Sequence, residues 1–336
     1  IGPKSAGADP GPVCYDKGGT APTVTDANVV LGYLNQGHLV GGELKIDADS
    51  SRRALEVEIA RPLGLELAHA AYGAHRIAAA NMIRAIKAVS SERGRDPREY
   101  TLFAFGGNGP LFAATMAAEL GMKKVLIPPS PGLFSAFGIL YGEVEHHYSQ
   151  TLRRNLEQAD PGELVAAWQT LEARAQVQLE EDGFSPARTE LMRSANMHYA
   201  GQIFELSVAV PPGDVDLAKL AEAFGHEHER TYGHRAGPDE PVELVNVEVV
   251  GRGLPETPRV PERLQYASHR EVTFAPRQAY FGEQHGWMET QVMDRSQLTE
   301  TPLAGPLVIE EYDATCVVPP GVSAQLDAAG NIVLML

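Results

Sequence analysis

The stretch from Tyr100 to Ile127 constrains the fold more than any other part of the chain. Tyr100-Thr101-Leu102-Phe103-Ala104-Phe105 reads as a short buried strand and Gly106-Gly107-Asn108-Gly109-Pro110 as a tight turn. Leu111 to Leu120 follows as a helix, with Pro110 suited to its first turn and Gly121 to its end. Lys124 to Ile127 is then a second strand. Strand, glycine turn, helix, strand is a βαβ unit, so the expected fold class is α/β. Such a turn lets a backbone approach a ligand closely, and the free N–H groups at the helix start attract negative or polar atoms. It is neither a P-loop, since no GxxxxGK[ST] occurs, nor a dinucleotide fingerprint, since the third glycine is missing. By its residues alone the turn is either a nucleotide or phosphate site or a purely structural corner.

Around this unit the helices are readable from their spacing and caps. Thr25-Asp26 starts a helix through Leu34, and Ser50 or Ser51 caps another through Ala60, ended by Pro62 and Gly64. From about Glu66 to Arg93, apolar residues including Leu67, Ala71, Ala74, Ile77, Met82, Ile86 and Val89 recur at spacings of three and four. Asn81 is the polar intruder on that stripe, either a hydrogen-bonded core amide or a ligand contact. A helix is expected from Leu133 to Leu140. Beyond Tyr148 the character changes: a long polar helix over 160–182, strand-like alternation over 190–210, a helix over 216–232, then strands between Pro and Gly turns to the end. A domain boundary is placed near residue 150, giving 1–150 and 151–336, in keeping with a length of 336 residues and roughly 150 residues per domain.

Composition removes several function classes. The formal charge is −16, from 44 acidic against 28 basic residues, and no stretch gathers the basic ones. Nucleic acid and anionic membrane are therefore poor partners, and no apolar run is long enough for a transmembrane helix. Cys14 and Cys316 are read as reduced and incidental, which fits a cytoplasmic protein. Among the histidines, His226 and His228 would point about 200° apart on a helix and cannot share an ion; no metal site is expected of them. The opening residues are loop chemistry, beginning Ile1-Gly2-Pro3 without an initiator methionine, as the interior of something longer would. Within that loop and the next helix, Ser5, Asp9, Asp26 and Asn28 could hold Mg²⁺ through water or orient an attacking group. The alternative is two turn aspartates and a helix cap.

Taken together, these segments resemble the ATP-dependent hydantoinase/5-oxoprolinase A-type family, which includes N-methylhydantoinase A and subunits of acetone and acetophenone carboxylases. The words that carry the resemblance run in family order along nearly the whole chain. They include Gly2-Pro3-Lys4-Ser5-Ala6-Gly7-Ala8-Asp9-Pro10-Gly11-Pro12, Thr25-Asp26-Ala27-Asn28, Ala80-Asn81-Met82 and Phe105-Gly106-Gly107-Asn108-Gly109-Pro110-Leu111. Pro128-Pro129-Ser130-Pro131-Gly132-Leu133-Phe134, Tyr199-Ala200-Gly201-Gln202, His228-Glu229-Arg230-Thr231-Tyr232-Gly233 and Gly305-Pro306-Leu307-Val308-Ile309-Glu310-Glu311-Tyr312 continue it.

The resemblance implies an actin/Hsp70-like (ribonuclease H-like) ATPase domain, of which this chain supplies the C-terminal part, followed by an α+β C-terminal domain. It implies that Gly106, Gly107, Asn108 and Gly109 hold the adenosine part of ATP, with Asn81 in support. Ser5, Asp9, Asp26 and Asn28 would serve the phosphate, Mg²⁺ and substrate side. The implied reaction places the γ-phosphoryl group on the carbonyl oxygen of a cyclic amide, or of a ketone in the carboxylases, before a B-type partner subunit completes it within an oligomer. A non-catalytic assembly subunit is the reading from a different class. Two departures stand out. Phe112 occupies a position where family members often carry His. The DxGGT-type phosphate loops are expected in an N-terminal half upstream of residue 1, because Asp16-Lys17-Gly18-Gly19-Thr20 has no strand before it and reads as a turn.

Overall fold

The computed structural model describes residues 2, 4–237, 240–256 and 274–336; Ile1 and Pro3 of the opening word lie outside them. The chain packs as two units, Ile1–Ile139 with Glu262–Leu336, and Leu140–Pro261. The boundary expected near residue 150 is thus close to the first crossing between units, but the C-terminal strands return to the first unit.

In that first unit the expected βαβ is present. Strands Leu102–Phe103 and Lys124–Ile127 pair in parallel across helix Gly109–Leu120. They belong to a five-stranded sheet ordered Leu303–Ala304, Ser323–Leu326, Ile332–Met335, Lys124–Ile127, Leu102–Phe103. The last strand of the chain runs antiparallel beside Lys124–Ile127, with Ile332 opposite Ile127 and Leu334 opposite Val125. All four of those side chains are fully buried, so the end of the chain forms the centre of this sheet. A second, four-stranded sheet is ordered Thr315–Val318, Leu307–Glu310, Trp287–Met293, Arg277–Tyr280.

The helices of this unit start earlier than the sequence suggested: the one read from Thr25-Asp26 to Leu34 is Val24–Val30, and Ser50 and Ser51 lie inside a helix that begins at Ala48. Thr23 caps helix Val24–Val30 through a reciprocal box with Asp26. Asp47 caps Ala48–Leu55, which continues through a π-type turn to Gly64. The long helix is Leu67–Val89, but its phase differs from the expected stripe. The buried positions are Ala70, Ala71, His75, Ala79 and Ile83, while Ile77 and Val89 are exposed. Alanines on several sides of the helix make three-and-four spacing readable in more than one phase. The buried polar residue is therefore His75, and Asn81 sits at the edge of the stripe.

The second unit is an antiparallel sheet ordered Val144–Asn155, Val242–Gly253, Thr189–Tyr199, Leu206–Val210. Helices Pro161–Glu181 and Leu217–Tyr232 pack on it. The single run of alternation over 190–210 is a hairpin, turned at Ala200-Gly201-Gln202 with Gly201 at φ +84°. Trp168 is fully buried and donates its indole N–H to the Ser194 carbonyl (3.1 Å). Arg193 forks onto Glu172 at 2.7 and 2.8 Å. Gly251 allows helix Pro161–Glu181 to sit close, since a Cβ there would lie 2.8 Å from the Ala175 methyl.

Candidate functional site

The glycine turn lies at the end of the Leu102–Phe103 edge strand and opens helix Gly109–Leu120. Gly106 adopts φ +85°, and its N–H donates to the Pro131 carbonyl (2.7 Å), tying this turn to the one at 130–133. A third loop closes on the same place: the Leu133 N–H donates to the Asp313 carboxylate at 3.2 Å. A Cβ on Gly132 would lie 2.5 Å from the Asp313 carbonyl oxygen, so that wall is closed. A Cβ on Gly107 would lie 3.4 Å from the same oxygen, an ordinary contact, and Gly107 and Asn108 are exposed. Asn108 makes no side-chain cap bond to the helix it starts. The backbone of the turn is therefore fixed in position yet open to solvent. Beside it, Phe103, Phe105 and Phe134 form a mutual cluster with ring centres 5.2–5.8 Å apart, and Phe103 and Phe105 are more than two-fifths exposed.

The turn at 128–133 is braced from behind by Arg295. This fully buried guanidinium donates to the carbonyls of Pro128 and Gly330, both at 2.8 Å, and to Glu311 at 2.6 and 2.8 Å. Burial raises the Glu311 carboxyl above its ordinary range, although Arg295 pulls it down. Neither Arg295 nor Asp313 was singled out by sequence reasoning. Asp313 directly follows the Glu310-Glu311-Tyr312 word, whereas nothing local in the sequence marks Arg295.

The residues expected on the phosphate and substrate side fall in three places. Ser5 and Asp9 are exposed in the opening loop, where Ser5 Oγ accepts the Gly7 N–H (3.1 Å). Asp26 is fully buried on helix Val24–Val30 and accepts from the N–H groups of Val13 (3.2 Å), Cys14 (2.9 Å) and Thr23 (2.8 Å). The hydroxyls of Thr23 (2.7 Å) and Ser51 (2.6 Å) donate to it as well. Burial alone would raise its pKa, but the bonds from Ser51, Thr23 and Cys14 outweigh it and the carboxyl lies below its ordinary value. Asn28, two residues on, faces another way, because two residues turn a helix by about 200°. Its Oδ1 is 2.9 Å from His75 Nδ1, and that imidazole stacks on Phe112 with centres 4.3 Å apart. Asn81 is part-exposed and accepts from Arg84.

Both cysteines are buried and free. Burial, with Asp26 nearby, pushes the Cys14 thiol up to about 12, and burial pushes Cys316 up too, so neither is a thiolate at neutral pH. Asp16-Lys17-Gly18-Gly19-Thr20 forms a turn, as read, with Gly18 at φ +91°. In the second unit two of the family-like words meet. His228 is buried, lies 4.9 Å ring to ring from Tyr199, and places Nε2 3.3 Å from the Gln202 amide.

A βαβ unit whose glycine turn is braced from behind and exposed in front defines an α/β protein with a ligand-ready strand-to-helix corner. The chain belongs to the hydantoinase/oxoprolinase family. The family model described as Hydantoinase/oxoprolinase matches residues 1–148, and the one described as Hydantoinase/oxoprolinase C-terminal domain matches 152–334. Caprolactamase subunit alpha of Pseudomonas jessenii is 36% identical over 98% of this chain and 49% of its own length. Acetophenone carboxylase gamma subunit of Aromatoleum aromaticum is 31% identical over 99% of this chain and 47% of its own. The crystal structure of the ATP-dependent caprolactamase from Pseudomonas jessenii superposes with a TM-score of 0.82, at 36% identity, over 100% of this chain and 50% of that one. The chain thus spans about half the length of these relatives. Among the described residues, no helix is long and apolar enough to cross a membrane.

Proposed function

We propose that this chain is the adenosine-side portion of an ATP-dependent hydrolase acting on a cyclic amide. It would work with an N-terminal ATPase half and a B-type partner subunit in a cytoplasmic, multisubunit assembly. The observation that carries the reading is the turn Gly106–Gly109, fixed by Pro131 and open at Gly107 and Asn108. Its backbone N–H groups and the neighbouring Phe103–Phe105–Phe134 cluster suit a purine nucleoside, which needs polar edges and a flat apolar wall. In this reading Asp26 positions rather than reacts: its five bonds hold the opening loop, which carries Ser5 and Asp9 to the phosphate side. Asn81, already engaged by Arg84, supports the nucleotide only if that bond opens. Among the described residues no three His, Cys, Asp or Glu side chains gather as a metal site. In this reading Mg²⁺ arrives with the phosphates of ATP.

The chemistry ATP supplies is a phosphoryl group on the amide oxygen, which gives a water-resistant amide a leaving group; positioning does most of the rest. The relationship to a carboxylase subunit supports a second reading, in which the activated carbonyl is that of a ketone. A panel of lactams and ketones, scored for ADP release by the reconstituted complex with and without bicarbonate, separates the two. Lactam-dependent, bicarbonate-independent ADP release supports hydrolysis, and ketone- and bicarbonate-dependent release supports carboxylation. ADP release that no substrate changes leaves the assembly-subunit reading.

A further inference from the structure

The first unit contains a cavity of about 750 Å³ that the glycine turn does not explain. Its walls come from helices Leu67–Val89 and Gly109–Leu120 and from the segments around Phe281 and Pro319. That volume is in the range of small-molecule sites. Leu111, in the first turn after Gly109, contributes to it, so the cavity runs along the helix that the glycine turn begins. Its walls mix apolar and aromatic side chains, Tyr72 and Phe281 among them, with polar ones that include His69, Gln284 and His285.

Its polar groups are specific. His75 lines the cavity yet is only 1% exposed, and its Nδ1 is engaged by Asn28 Oδ1 at 2.9 Å. An amide oxygen only accepts, so the hydrogen bond assigns the proton to Nδ1 and leaves a lone pair on Nε2. That Nε2 has no hydrogen-bond partner among the described residues. Burial, with Arg76 adding to it, pushes the His75 pKa down to about 3, so the ring is neutral at physiological pH. The cavity's cation, Arg76, is matched by Glu119 at 2.5 Å and lies over the Tyr72 ring at 5.9 Å. With Glu283 also on the wall, the lining carries no surplus positive charge for an anion.

We propose that this cavity binds a small neutral cyclic amide, whose ring N–H donates to His75 Nε2 while its methylenes pack on Tyr72 and Phe281. The proposal deepens the cyclic-amide reading and rests on it for the ligand's class. His75 here is a binding residue and Asn28 positions it.

The test uses the full chain without nucleotide and measures dissociation constants by saturation-transfer NMR for caprolactam and N-methylcaprolactam, which lacks the donor. Wild type is expected to bind caprolactam at least tenfold more tightly than the N-methyl compound. In His75→Phe, which keeps the ring stacked on Phe112 but removes the acceptor, the preference should collapse towards one. Should that variant fail to fold, Thr115→Trp, which fills the cavity from the opposite helix, should weaken caprolactam at least tenfold. Equal affinity for the two lactams, no binding of caprolactam, or unchanged binding in Thr115→Trp overturns the proposal. Because ATP is absent, a failed nucleotide site leaves this result intact. A negative result here, with ATP binding found in a separate nucleotide titration, overturns only the cavity.

Discussion

Asp26 accepts five hydrogen bonds from residues that span Val13 to Ser51, so a single carboxylate organises the opening of the chain. Replacing it with Asn removes the charge and turns half of its accepting capacity into a donor facing other donors. Asp26→Asn should destabilise the fold by about 2–4 kcal/mol at pH 7. Because the folded pKa lies below the unfolded value of about 3.9, the carboxylate's contribution is fully present above pH 4 and is lost as pH falls through the folded pKa. Urea midpoints of wild type and variant should therefore converge as pH falls below about 4; a gap that stays constant contradicts the ionised role. The residue type and its place at a helix start were legible in the sequence, but the cap was not: the start was read at Thr25-Asp26, and Thr23 supplies it. Its partners were not, since Val13, Cys14 and Ser51 are joined to it only by the fold. His75 was missed for a related reason: it lies among alanines, and nothing local marks a histidine as buried and neutral.

At the scale of elements, the βαβ unit was legible because glycine, proline and apolar runs fall where strands and helices must stop and start. The phase of Leu67–Val89 was not, because alanine-rich faces do not distinguish themselves by hydropathy. The hairpin at Ala200-Gly201-Gln202 was hidden within a continuous alternation that both its strands obey. Close packing of helix on sheet is likewise invisible in a lone glycine, yet it is testable. Gly251→Val would drive two methyls into Ala175 and Leu179, whose atoms lie 2.8 and 3.1 Å from an added Cβ. It should destabilise the second unit by about 1–3 kcal/mol, read as a lower thermal midpoint. A midpoint unchanged by this substitution means that the helix does not sit as described.

At the scale of the whole molecule, the C-terminal strand Ile332–Met335 occupies the middle of a sheet begun at Leu102–Phe103. Sequence order suggested two successive domains, and no local pattern records that the last strand pairs with Lys124–Ile127. Removing residues 331–336 should unfold the first unit, with loss of protease resistance around the glycine turn. Retention of native resistance contradicts the pairing. The same arrangement places Arg295 and Glu311, from late in the chain, behind the turn at 128–133, whose Pro131 carbonyl holds the glycine turn. The most direct test of the glycine turn's assignment to adenosine is lactam-dependent ADP release by the reconstituted complex carrying Gly107→Val. An added side chain at Gly107 has room within the fold but occupies the ligand's approach, so the account predicts an unchanged melting temperature and at least a hundredfold loss of ADP release. Wild-type ADP release and ATP affinity in that variant would contradict it.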